Sequence, residues 1–268
     1  MVGLPSILPY SAARVSIVTV IPAYNEGDRL AAFLGDWAAV GMSHPHLAVT
    51  VIVVDDGSKP EMAAAHQAAI ERVASDLADK RAPHRVEFVR ADRNRGKGAA
   101  IRLGWSRAAA DASWLTFIDA DGAIPAREYW RMASLLPTID ADVVCASRIR
   151  MAGRTIDRTM FRHFQGRLFA TFAEGLFGLG FYDTQTGMKA FRAEMLRPLL
   201  PRLQEDRWLL DVELLVLMHQ AGARTIEVPI DCYMRGPSAL TFGLDSLRMG
   251  VQLVKLRSRL GAGRAVAR

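Results

Sequence analysis

Two carboxylates, Asp119 and Asp121, stand one residue apart directly after the apolar run Ser113-Trp114-Leu115-Thr116-Phe117-Ile118. If that run is a buried strand, both acids emerge at its C-terminal end, where open α/β sheets place their ligands. Paired acids there suit a hard divalent cation shared with a substrate phosphate. Two further apolar runs end in polar loops, Pro22-Ala23-Tyr24-Asn25-Glu26 and Asp55-Asp56-Gly57-Ser58. Pro22 stiffens the first loop, and Tyr24 offers a flat face to a base. Asp55 and Asp56 can accept from a nucleobase N–H or a ribose hydroxyl. Asp119 suits a ribose hydroxyl, and Asp121 a metal. Asp56-Gly57-Ser58 alone reads equally as a β-turn with a helix cap. Three such loops on one sheet edge argue for a site.

Other motifs carry two readings each. Asn94-Arg95-Gly96-Lys97-Gly98 precedes a helix and lacks P-loop spacing. It is either an anion site at a helix start or a glycine-rich entry with a solvated Lys97. Six arginines (148, 150, 154, 158, 162 and 167) share a stretch with one acid, Asp157. Such a row attracts phosphates, or forms a solvated basic face. Arg158 and Arg162 are four apart, on one helix face. Asp211 opens an apolar helix and reads equally as N-cap or as general base. Trp208 reads as core or pocket wall. No histidine has a partner at metal-ligand spacing.

The spacing predicts strands over Val15–Ile21, Ala48–Val54, Val86–Arg90, Ser113–Ile118, Asp142–Ala146, Gly187–Phe191 and Arg224–Ile230, the last at an edge because of Pro229. Helices are expected over Glu26–Val40, Glu61–Leu77, Gly98–Ala110, Arg127–Leu136, Arg158–Phe177, Leu209–Gln220 and Leu240–Leu260. Strands alternating with helices predict an α/β fold, a mostly parallel, Rossmann-like sheet covered on both faces. The last helix is amphipathic, with Leu244, Leu247, Val251 and Val254 on one side. The expected division is a tail over 1–14, one domain over 15–238, and a basic helical extension over 239–268.

The 268 residues are half hydrophobic and carry a net charge of +6, with 29 of the 34 basic residues arginine. Two cysteines make no disulfide framework and read as packed thiols in a reducing compartment. No apolar run reaches membrane-spanning length, and no signal peptide is read at the start. The expected location is cytoplasmic, peripheral on the cytoplasmic membrane face.

In order and spacing, the four loop motifs (Pro22–Glu26, Asp55–Ser58, Asn94–Gly98, Asp119–Gly122) resemble family 2 of the inverting nucleotide-sugar glycosyltransferases, of GT-A fold. Ala146-Ser147-Arg148, Arg158–Arg162, Asp183–Lys189 and Arg207–Leu214 narrow the likeness to polyprenyl-phosphate sugar synthases of the dolichyl-phosphate β-glucosyltransferase kind. The resemblance spans about Val15 to Leu256. It implies that Pro22, Tyr24, Glu26 and Asp56 line a nucleoside pocket with Lys97 near the ribose or base. It implies nucleotide and metal (magnesium or manganese) at Asp119 and Asp121, and an acceptor phosphate at Arg148, Arg158 and Arg162. Asp183 and Gln185 fall near the sugar, and Asp211 where relatives keep a base. Arg235 and Ser238 fall in a segment that closes over the donor pyrophosphate.

The expected activity is hexose transfer from a nucleoside diphosphate sugar, UDP-glucose first, to a polyprenyl monophosphate, with no nucleic acid partner. The alternative is a soluble or glycan hydroxyl acceptor with Asp211 as base. A sugar-phosphate nucleotidyltransferase is disfavoured because its glycine-rich loop is absent after the first strand. A non-catalytic scaffold is disfavoured by the intact Asp119 and Asp121.

Overall fold

A computed structural model describes residues 15–157, 160–233 and 244–261, the side chains of 160–165 and 244–249 excepted. Seven strands, β1 (Val15–Ala23), β2 (Leu47–Asp55), β3 (Arg85–Arg90), β4 (Trp114–Ile118), β5 (Val143–Ser147), β6 (Met188–Arg192) and β7 (Thr225–Pro229), form one sheet of order β3-β2-β1-β4-β6-β5-β7. Only β6 runs antiparallel to its neighbours, β4 and β5. β7 lies at the edge, as Pro229 requires.

Helices α1 (Asp28–Gly41), α2 (Pro60–Asp79), α3 (Lys97–Ser106), α4 (Ala126–Leu135), α5 (Met160–Phe177), α6 (Ala193–Leu196), α7 (Leu210–Gln220) and α8 (Leu244–Leu260) complete the described chain. Strands β1, β2, β4 and β5 are largely apolar because both faces of the sheet are covered there. On β1, Ile17 and Ile21 join one core with Leu30, Trp37, Ile70 and Trp130 from α1, α2 and α4. Val18 and Val20 join a second core with Ile101, Trp105, Leu214 and Leu253 from α3, α7 and α8.

Some boundaries move for local reasons. The first helix starts at Asp28 because Asn25 and Gly27 both take φ of 54°, which no helix continues through. A short helix and 3-10 turn over 193–202 has no counterpart in the sequence reading. Among the described side chains of α8, Leu253 and Leu256 are buried, while Val251 and Val254 are each 49 % exposed. The apolar side read from the sequence thus faces outward at these two residues.

The strand order fixes where a ligand can sit. Chain direction reverses its lateral progress between β1 and β4, the crevice that open sheets use. The carboxyl ends of β1, β2 and β4 meet there. Antiparallel β6 brings its leading residues to the same edge, with Met188 opposite Ile118. β5 and β7 end there too, so Arg148 and the 230–233 segment join it.

Candidate active site

The β1 and β2 loops are stitched together. The Asn25 N–H donates to Ser58 Oγ at 2.9 Å, and the Lys59 N–H donates to Asn25 Oδ1 at 3.1 Å. Tyr24 stands 49 % exposed above them. Pro22 is half-buried beneath. Glu26 pairs with Arg29 at 2.7 Å.

Asp56 receives the Arg95 N–H at 3.0 Å and the Gly96 N–H at 2.7 Å. The anion at this glycine-rich turn is therefore the protein's own carboxylate. Burial raises the Asp56 carboxyl's pKa against the opposing pull of those two N–H groups. Gly57, at φ 71°, lies where a Cβ would overlap the backbone of Arg93 and Asn94. Gly98 has no room for a Cβ against the backbone of Glu205 and Asp206. These glycines serve close backbone packing.

Lys97 is not solvated. Its ammonium lies 2.9 Å from Asp119 Oδ1 and 3.4 Å from Asp211 Oδ2, over the Phe117 and Trp208 rings. Burial alone would lower its pKa, but Asp119 and Asp211 outweigh burial and raise it. Trp208 is 41 % exposed, a wall of the site rather than core.

Asp211 does not cap its helix. Leu209 is the N-cap of α7, and no side chain bonds the helix end. The Asp211 carboxylate instead accepts from Lys189 Nζ at 2.5 Å. An alternating chain results, Lys189–Asp211–Lys97–Asp119. Lys189 is fully buried and also donates to the Thr186 carbonyl at 2.7 Å. Sequence reasoning passed over it, although a lysine between apolar neighbours in a central strand is an anomaly demanding a buried partner.

Asp119 sits on Gly187, whose carbonyl accepts the Asp119 N–H at 2.8 Å. A Cβ on Gly187 would overlap the Asp119 carboxylate. Asp121 Oδ1 takes the Ala123 N–H at 2.9 Å. Burial raises the Asp121 carboxyl's pKa, and the Asp119 charge adds to it. Burial also raises that of Glu26; Arg29 opposes this, and Asp121 and Asp119 reinforce it. Among the described residues no three ligand-type side chains close into a cage. The crowding nevertheless fits a hard cation, because such ions take one or two carboxylates and complete their shell with substrate phosphate and water.

Asp183 and Arg148 form a bidentate pair, with Nε at 2.7 Å and Nη2 at 2.9 Å from the carboxylate. That edge of the Arg148 guanidinium is thus occupied by Asp183. Burial opposes the Asp183 charge, yet Arg148 outweighs it and holds the carboxyl far below its usual range. Glu227, also missed in the sequence, fixes the loop by accepting the Tyr182 and Asp183 N–H groups. The Gln185 N–H donates to Asp183 at 3.3 Å. Arg158, Arg235 and Ser238 lie outside the described residues, as does the side chain of Arg162.

The profile of the Glycosyl transferase family 2 matches residues 18–200, which hold every loop of this edge up to β6. The chain belongs to that family. This family 2 glycosyltransferase is 27 % identical over 257 residues to a dolichyl-phosphate beta-glucosyltransferase of Dictyostelium discoideum, covering 92 % of this chain and 75 % of the relative. Its Drosophila melanogaster counterpart is 31 % identical over 282 residues, with 98 % and 81 % covered. In fold, the enzyme matches glucosyl-3-phosphoglycerate synthase of Mycobacterium tuberculosis, solved with uridine diphosphate, at a TM-score of 0.63 and 17 % identity, covering 92 % and 80 % of the two chains. It matches a Pyrobaculum calidifontis mannosyltransferase, solved with GDP-mannose and Mn2+, at 0.58 and 19 % identity, covering 94 % and 67 %. The glycosyltransferase fold is GT-A, and β6 is its antiparallel strand.

Proposed function

We propose that this glycosyltransferase moves a hexose, first glucose from UDP-glucose, onto a polyprenyl or dolichyl monophosphate with inversion. The observation that carries the reading is the state of Asp211. Lys189 and Lys97 occupy its two oxygens, so it is poorly placed to take a proton from an acceptor. A sugar hydroxyl must lose a proton on attack. A lipid monophosphate arrives largely ionised at neutral pH, its second pKa being about 6 by analogy with phosphoserine. The relatives named dolichyl-phosphate beta-glucosyltransferase support the same acceptor.

In this reading Tyr24 and Asp56 border the nucleoside. Asp121 and Asp119 would hold a magnesium or manganese ion, which neutralises charge on the leaving diphosphate. Lys97 adds a fixed positive charge beside Asp119, and preorganised charge of this kind is a large share of catalysis. In the same proposal Arg148, Arg158 and Arg162 would bind the acceptor phosphate, and Arg235 and Ser238 the donor pyrophosphate.

The surface supports peripheral membrane contact. Leu168 and Phe172 of α5 are 59 % and 44 % exposed, and α8 packs beside them with Val251 and Val254 open. Apolar side chains on neighbouring helices with Lys255 nearby suit an interfacial position. No helix among the described residues is long and apolar enough to cross a bilayer.

The test is incubation with radiolabelled UDP- and GDP-sugars plus polyprenyl phosphate, then partition into organic solvent. Label entering the organic phase from UDP-glucose supports the assignment. Label that stays aqueous with every donor defeats the lipid acceptor.

A further inference from the structure

His66 and Asp55 are both fully buried, so Asp55, unlike the reading of its loop from sequence, is closed off from a nucleobase or ribose. Strand parity explains Asp55. It continues Val49, Val51 and Val53, which face α1 and α2 in the first core. Helix spacing explains His66. It lies on the stripe of Ile70, Val73 and Leu77, the packed face of α2. The two polar side chains therefore meet inside an apolar layer, with His66 Nδ1 at 2.8 Å from Asp55 Oδ2. The carboxylate must accept, so Nδ1 carries the proton. Nε2 has no hydrogen-bond partner among the described residues. The bond to Asp55 is the imidazole's one polar task.

Asp55 passes that constraint on. Its Oδ1 takes the Ser58 N–H at 3.0 Å, which closes the Asp55–Ser58 turn. Ser58 Oγ then receives the Asn25 N–H at 2.9 Å, holding the β1 loop. The Asp55 carbonyl takes the Ala91 N–H and the Ala23 carbonyl takes the Asp56 N–H, each at 2.8 Å. Asp56 in turn gathers the N–H groups of Arg95 and Gly96. The Asp55–Ser58 turn, closed on the carboxylate that His66 orients, thus links to the β1 loop through Ser58 and Ala23 and to the segment after β3 through the Asp55 carbonyl and Asp56.

We propose that His66 is a positioning residue for the donor nucleotide: through Asp55 it sets the mutual placement of the Tyr24, Asp56 and Arg95–Gly96 loops. This rests on reading that edge as the nucleoside diphosphate site. Losing the Nδ1–H bond leaves a buried carboxylate short of a partner, and the turn rearranges to find another. Donor affinity falls, while the proposed acceptor side around the Asp183–Arg148 pair is untouched.

The test compares His66→Leu, His66→Asn and His66→Gln in the full chain. The Asn amide places an N–H where Nδ1–H stands, whereas the longer Gln amide does not. His66→Leu should raise the donor KM by about tenfold, the scale of one lost positioning bond, and leave the acceptor KM unchanged. Titration with UDP should show the same loss. Amide exchange at Ser58, Arg95 and Gly96 in the unliganded protein should quicken. His66→Asn should restore all three and His66→Gln should not, a contrast that decides the matter even if His66→Leu does not fold. A lower melting temperature with wild-type donor KM and exchange would overturn the proposal, leaving His66 a core residue. A wild-type protein that binds no nucleoside diphosphate would overturn the donor reading itself and this role with it. Quickened exchange in the variants would then show separately that the loops still hang from His66.

Discussion

Lys189 Nζ and Asp211 Oδ1 lie 2.5 Å apart, and neither side chain is more than 4 % exposed. They come from an antiparallel strand and the first turn of α7, and their contact closes the acidic edge from below. Breaking such a pair from one side leaves a buried charge, at a cost of about 3–5 kcal/mol. Asp211→Asn is therefore expected to lower urea-unfolding stability on that scale. The double change Asp211→Leu with Lys189→Met should recover much of it. A general base would behave differently, losing about 10²–10⁴ in kcat when replaced, with little change in stability. Unfolding curves beside kcat for the single variant separate the two.

Gly187 offers no Cβ where Asp119 rests. Gly187→Ala must push the carboxylate aside or shift the strand, an overpacking that costs about 1–3 kcal/mol. The larger effect is expected on the site, because Lys97 pairs with Asp119. Mn2+ and UDP affinities measured by calorimetry should both drop. Unchanged affinities would mean that Asp119 has no part in holding them.

Asp121 carries a carboxyl whose pKa is raised by burial and by Asp119. With the folded value above the unfolded one, the ionised group costs stability at neutral pH. Asp121→Ala should abolish transfer and leave the melting temperature at or above wild type. Wild-type activity should also vanish with chelator and return with added Mn2+. Turnover that survives chelation would remove the metal from the reaction.

For Asp183 the sign is opposite. Burial disfavours its charge, Arg148 more than compensates, and the folded pKa lies below the unfolded one. The unfolded chain binds the proton first on acidification, so this stability is complete above about pH 4 and is lost as the pH falls further. Asp183→Asn should flatten the acid limb of melting temperature against pH. An acid limb as steep as the wild type's would assign it to other carboxylates.

Leu168 and Phe172 of α5 and Val251 and Val254 of α8 are exposed apolar side chains on neighbouring helices. Phe172→Glu and Val251→Glu should each reduce co-flotation with anionic vesicles, with UDP affinity unchanged. Flotation equal to wild type would locate membrane contact elsewhere.

The loops after β1, β2 and β4 were legible because each is a polar break at the end of an apolar strand, and parallel strands send such breaks to one edge. Val251 and Val254 misled in part, because amphipathicity marks an apolar side without saying whether protein or solvent covers it. Lys189 and Glu227 went unread because their partners are distant in sequence: 22 residues separate Lys189 from Asp211, and 44 separate Glu227 from Asp183. His66 is only 11 residues from Asp55 but went unread because helix periodicity marks it as buried without naming its partner.

The sequence by itself determined the alternation of strand and helix, the covered sheet and the acids at its carboxyl edge, since these follow from local periodicity and chain direction. Only the tertiary structure decided what each acid does there. Inserting β6 antiparallel between β4 and β5 carries Lys189 beneath Asp211 and Gly187 beneath Asp119. A carboxylate's role as base, ligand or counter-ion depends on the charges within a few ångströms, and those charges come from segments that no local pattern links.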